Sequence, residues 1–132
     1  MTNYIKNTLL LAVLAAMFGC SSNAQQQRNL ELLADNRAQL LSSELPLEVG
    51  PLSVMRASAN GTTIELMMVY NQDQAGAKPT SAVLKHSINT YCTNPSIRGN
   101  LNAGLTYRIK IRNTRGQLMA DELVSAQTCE SN

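Results

Sequence analysis

The stretch Leu105-Thr106-Tyr107-Arg108-Ile109-Lys110-Ile111-Arg112 alternates apolar and polar residues without a break. Successive side chains on a strand point to opposite faces, so this period of two predicts a half-buried strand. Leu105, Tyr107, Ile109 and Ile111 face inward, and Arg108, Lys110 and Arg112 face out. Asn113-Thr114-Arg115-Gly116 then turns the chain back into a second strand over 117–125, with Leu118, Ala120, Leu123 and Val124 as its apolar positions. Arg108 can sit opposite Asp121 across that pair.

Working upstream, Asn94-Pro95 reads as a helix cap followed by proline at the first helical position, and Gly104 as the stop of a short helix that Gly99 weakens. A longer helix precedes it. It opens at Pro79-Thr80 with Thr80 as N-cap, and Val83 or Leu84, Ile88, Tyr91 and Cys92 share one stripe, which points Cys92 inward and leaves His86 off it. Residues 71–78 contain Gly76 and no apolar period, and read as an exposed loop. Before them, Leu52–Ala59 and Thr62–Tyr70 are joined by Asn60-Gly61, the pair a type I′ hairpin favours because both loop positions need positive φ. In that register Ala59 faces Thr62. One face, the expected core side, pairs Ala57 with Ile64 and Met55 with Leu66; the other pairs Arg56 with Glu65 and Val54 with Met67.

From Arg28, Leu30, Leu33, Ala34, Arg37, Leu40 and Leu41 recur at helical steps, predicting a first helix that ends near Ser43, before Pro46. The expected architecture is one α+β domain over 28–132. It has a small antiparallel β-sheet of about four to five strands packed with about three to four helices.

The first residues follow different rules. Thr8–Phe18 is an uncharged, mostly apolar run that reaches about 16 Å as a helix, roughly half of a hydrocarbon layer. This is the length of a signal-peptide apolar region rather than of an anchor helix. It closes at Gly19-Cys20, which resembles the lipobox of bacterial lipoproteins, although Met17 and Phe18 stand where that pattern prefers Leu and a small residue. The resemblance implies a signal peptide over 1–19, acylation of Cys20 with fatty chains such as palmitate, and, with Ser21 next, export to the outer membrane. An ordinary secretory signal cut near a cysteine is the alternative. Ser21–Gln27 is small and polar and reads, with Cys20, as a flexible tether over 20–27. The chain has 3 cysteines. If Cys20 takes lipid, Cys92 and Cys129 remain to pair in an oxidising periplasm; two free buried thiols are the alternative.

Chemistry is sparse. The formal charge of +2 is too small for the phosphate neutralisation that drives nucleic-acid binding, so no nucleic-acid partner is expected. His86 stands alone, which excludes a histidine-based triad and a multi-histidine zinc site, and no phosphate-cradling glycine loop is present. No cofactor, no metal and no enzymatic activity are expected. The basic row Arg108, Lys110 and Arg112 is either a solvated strand face or a surface for an acidic partner segment or lipid head groups.

Several segments in order carry a resemblance: Cys20, the leucine-rich first helix, Gly61-Thr62-Thr63, Tyr91-Cys92-Thr93-Asn94-Pro95, Gly104-Leu105-Thr106-Tyr107-Arg108-Ile109, Asn113-Thr114-Arg115 and Thr128-Cys129. In sequence and spacing they resemble the AspS-type pilotins of type II secretion systems, from about Leu30 to Cys129. The resemblance implies a non-catalytic lipoprotein on the periplasmic face of the outer membrane, anchored there by its lipid. It implies binding of the C-terminal segment of a secretin and passage along the lipoprotein-sorting machinery, so that the secretin is targeted and assembled. Leu52, Val54, Met67 and Val69, as apolar positions on the outer sheet face, are candidate partner contacts beside the basic row. The competing expectation is a structural or inhibitory outer-membrane lipoprotein unrelated to secretins.

Overall fold

The structure is a computed structural model that describes residues 2–131, with side chains from Ser22 onward. The order of elements is α1 (Thr2–Ser42), β1 (Leu47–Val49), β2 (Leu52–Asn60), β3 (Thr63–Tyr70), α2 (Thr80–Thr93), α3 (Pro95–Ala103), β4 (Thr106–Asn113), β5 (Leu118–Val124) and α4 (Ala126–Glu130). The strands form one five-stranded sheet in the order β1-β2-β3-β4-β5. Alternation places the strands well: Leu105, Tyr107, Ile109 and Ile111 are all buried, with Ile109 and Ile111 at 0% exposure.

The sheet is mixed rather than wholly antiparallel. β3 and β4 pair in parallel, Ile64 opposite Tyr107 and Leu66 opposite Ile109. A period of two reveals a strand but not its direction. Direction follows from the connection, because α2 and α3 together carry the chain back to the end of the sheet where β3 began.

The first long hairpin also differs from expectation. Asn60 pairs with Thr63, so the loop is Gly61-Thr62, and no described non-glycine residue has positive φ. Gly61, at φ 59°, takes the one position where a II′-type loop requires it. Ala57 therefore pairs with Leu66, Ser58 with Glu65 and Arg56 with Met67. A two-residue slip preserves the faces, so Ala57, Ile64 and Leu66 remain inward. A bulge at Met55 then reverses the faces of everything before it: Val54 lies opposite Met68 and Leu52 opposite Tyr70. Leu52 and Val54 thus pack against the core, and Met55, expected inward, is exposed.

α1 lies on the core face over β2 and β3. Ala34 and Ala38, at 0% and 4% exposure, let it approach the sheet, while Leu30, Leu33 and Leu41 pack around them. α1 continues through 20–27, the segment expected as a tether; Gln25 Nε2 donates to Asn29 Oδ1 (3.2 Å) and Gln27 Nε2 to Glu31 Oε1 (3.3 Å), each one turn on. The other helices obey local capping chemistry. Asn94 Oδ1 accepts from the amides of Ser96 and Ile97, with Pro95 next, and Gly104 closes α3 at φ 110°. Thr80 is not the N-cap of α2: Pro79 holds that position without a side-chain bond, and the Thr80 hydroxyl accepts from Gln72 Nε2 instead. α4 begins with a capping box between Ser125 and Thr128. Cys92 of α2 is bonded to Cys129 of α4, with Cα atoms 5.4 Å apart, closing a loop of 37 residues.

Candidate binding groove

The helices cover one sheet face incompletely. α1 sits over β2 and β3, whereas α2, α3 and α4 gather toward β4 and β5, and a groove opens between the two sets. Its cavity is about 190 Å³. One wall is Arg37, Leu40 and Leu41 of α1, ending at Glu44 just past the helix; the other is Tyr91 of α2 with Ile97 and Asn100 of α3. Leu66 of β3 and Tyr107 of β4 form the floor.

The aromatic end of this groove is rigid. The Tyr91 and Tyr107 rings meet edge to face, centroids 5.4 Å apart at 71°. Asn100 Nδ2 donates to Tyr107 Oη at 2.8 Å. Burial pushes the Tyr107 phenol up from its ordinary pKa, opposed by the Asn100 hydrogen bond and by the positive charge of Arg37. Burial raises Tyr91 too, assisted by Tyr107. Arg37 provides the one conspicuous imbalance: its Nε is buried with no hydrogen-bond partner, and no described carboxylate lies within ion-pair distance of its guanidinium.

A second cavity of about 380 Å³ lies where β1, the start of β2 and α2 meet, with Val49, Leu52, Tyr70, Val83 and His86 on its walls. Among the described residues no group of three or more His, Cys, Asp or Glu could hold a metal ion, and no helix is long and apolar enough to cross a membrane.

The opposite sheet face carries the basic row. Arg108 Nε and Nη2 donate to the two carboxylate oxygens of Asp121, both at 2.8 Å, and Nη1 lies 3.6 Å from Glu65. The hydrogen bonds from Arg108 hold the Asp121 carboxyl below its usual range. Arg108 does not pair with Asp121 through strand register, since Lys110 is the residue directly opposite; it reaches diagonally. Arg112 donates to the Gly116 carbonyl at 2.9 Å. Met67 lies beside Lys110 and Val69 beside Arg112 on this same face. The structure therefore brings Met67, Val69, Arg108, Lys110 and Arg112 together and sends Leu52 and Val54 to the other side of the sheet. The side chain of Cys20 lies outside the described residues. The groove itself was missed in sequence, although one signal was present: Arg37 is a cation on the apolar stripe of the first helix.

The comparisons with known proteins agree with this architecture. The profile of the type II secretion system pilotin family, S protein, matches residues 26–129. The solved structure of the type II secretion system pilotin AspS from Vibrio cholerae superposes with a TM-score of 0.78 at 60% identity, covering 82% of this chain and 99% of that one. Pilotin AspS 2 of Escherichia coli O78:H11 is 27% identical over 122 residues, which is 92% of this chain and 88% of that protein. A cryo-EM structure of the ETEC pilotin–secretin complex AspS–GspD shares the fold, with a TM-score of 0.51 at 24% identity, covering 74% of this chain and 89% of that one. With the family profile spanning nearly the whole folded body, the chain belongs to the type II secretion system pilotin family.

Proposed function

We propose that this protein is a lipid-anchored pilotin that binds the C-terminal segment of a secretin and carries it to the outer membrane for assembly. The observation that carries this reading is the groove between α1 and α3: an apolar floor of Leu66 and Tyr107, open walls, and no reactive group. Such a site suits recognition of a side-chain pattern. A short tail that folds as it binds needs only such a groove. The pilotin AspS, which shares this fold, forms a complex with the secretin GspD, which supports the same kind of partner.

The anchor completes the proposal. Residues 1–19 are removed as a signal peptide, Cys20 is acylated, 20–27 links lipid to body, and 28–132 forms the binding domain. More than one fatty chain makes the attachment stable, where a single chain would hold only marginally. Ser21 after the lipidated cysteine directs the sorting machinery to deliver the protein to the periplasmic face of the outer membrane.

The bare outer face supplies a second reading of the contact, favoured by Lys110 and Arg112 beside Met67 and Val69: an acidic partner segment lies across it. Titration of the full-length protein with a synthetic secretin C-terminal segment tests the function. Saturable binding is expected, weakened about tenfold by Leu40→Ala, which removes an exposed apolar wall side chain. In cells, Cys20→Ala leaves secretin multimers away from the outer membrane. No binding, together with correctly placed multimers in the Cys20→Ala strain, would favour an envelope lipoprotein without a secretin role.

A further inference from the structure

The groove is lined by two charged side chains, both on the α1 side and of opposite sign. Arg37 lies within α1, and Glu44 lies just past its end, about two helical turns further along. Arg37 and Tyr107 line the same groove, the Arg37 charge acts on the Tyr107 phenol, and Arg37 Nε is buried without an acceptor. A buried donor without a partner is unfavourable, so a bound acceptor there adds to affinity. Tyr107 already accepts a hydrogen bond from Asn100, and the charged groups of the outer face lie across the sheet in their own network.

Resting on the secretin reading above, we infer that Arg37 is the specificity contact of the groove and that it receives the carboxylate of an acidic side chain of the bound segment. The partner is thus an amphipathic segment. Its apolar side chains meet Leu40, Leu66 and Ile97, and its carboxylate lies at the Arg37 end. A cation, where the segment has one, lies toward Glu44, so the two charges along this wall set the direction in which the segment lies. Binding supplies the acceptor that the free protein lacks, and a hydrogen bond to a charged group in an apolar groove is worth more than one at an open surface.

The test uses the full-length protein in detergent and two synthetic peptides of the cognate secretin C-terminal segment. Both have an amidated end; one keeps its Asp and Glu side chains, and the other has them replaced by Asn and Gln. Neutralising the peptide should weaken wild-type binding by about tenfold to a hundredfold. Arg37→Gln should weaken binding of the acidic peptide by a similar factor while leaving the neutral peptide unaffected, and Arg37→Lys should restore part of the loss. A circular dichroism melt matching the wild type shows that Arg37→Gln has folded; should it not fold, the Arg37→Lys protein and the two peptides on the wild type carry the test. If the wild type binds both peptides equally, the Arg37 contact is overturned while the secretin reading stands. If the wild type binds neither, both fall.

Discussion

Gly104 shows how much a single position can determine. Its φ of 110° ends α3, and a Cβ added there would come within 3.3 Å of Leu30 Cδ1. Gly104→Ala therefore combines a strained backbone with pressure on the first helix, and should cost at least about 1 kcal/mol. A lowered urea midpoint with an unchanged slope would register this. The two groove tyrosines set a pH limit. Both phenols are raised by burial, so the unfolded chain releases their protons first as pH rises. Their contribution to stability is complete below about pH 10, the ordinary tyrosine value, and declines above it. Urea midpoints should hold between pH 7 and 9 and fall by pH 11, and Tyr91→Phe should reduce that fall; a fall of undiminished size in the variant would place its origin elsewhere. The Asp121 carboxyl works in the opposite direction. Held low by Arg108, it contributes above the usual carboxylate range and loses that contribution as acid protonates it, a small effect for so exposed a pair.

The helices and strands owe their stability to caps, stripes and one covalent tie. Asn94→Ala removes the acceptor for two amides at the start of α3 and should cost about 1 kcal/mol. The Cys92–Cys129 bond joins α2 to the terminal α4, and opening its loop of 37 residues should remove up to about 4 kcal/mol on the chain-entropy account. Thermal melts with and without reductant measure this, and a shift no larger than that of Asn94→Ala would show that α4 docks without the bond. These same elements mark what sequence can reveal. The β4 alternation, the Asn94-Pro95 cap and the Gly104 stop are legible because each rests on neighbours in the chain, and the cysteine pair because only two cysteines remain once Cys20 is set aside. The parallel pairing of β3 with β4, the bulge at Met55 and the strand β1 were not, because they arise where distant segments meet. The bulge matters most for function: one extra residue moved Leu52 and Val54 from the expected partner surface into the core. The groove was hidden for the same reason, since its two walls come from helices more than forty residues apart, and only the misplaced cation Arg37 hinted at it.

The molecule as a whole presents two unlike surfaces: helices with a groove between them on one side of the sheet, and a bare sheet face on the other. Their energetics differ in kind. A segment in the groove would be held by apolar burial with one charge contact, which salt screens weakly. A segment on the bare face would be held by the half-exposed Lys110 and Arg112 at the sheet surface, where charges are screened within about 8 Å at physiological ionic strength. The thickness of the sheet separates these sites. Replacing both cations, Lys110→Glu with Arg112→Glu, should therefore leave affinity for the secretin segment within about twofold, while Leu40→Ala on the groove wall lowers it about tenfold. Arg108 is left intact in this comparison because it ties β3 to β5 through Glu65 and Asp121, and its reversal would disturb the sheet as well as the surface. Binding constants at 0.05 and 0.3 M salt complete the separation, with a shallow salt dependence expected for the groove. A steep dependence that the double reversal abolishes, with Leu40→Ala indistinguishable from wild type, would assign the partner to the bare face, leaving the groove's unpaired Arg37 with no part in recognition.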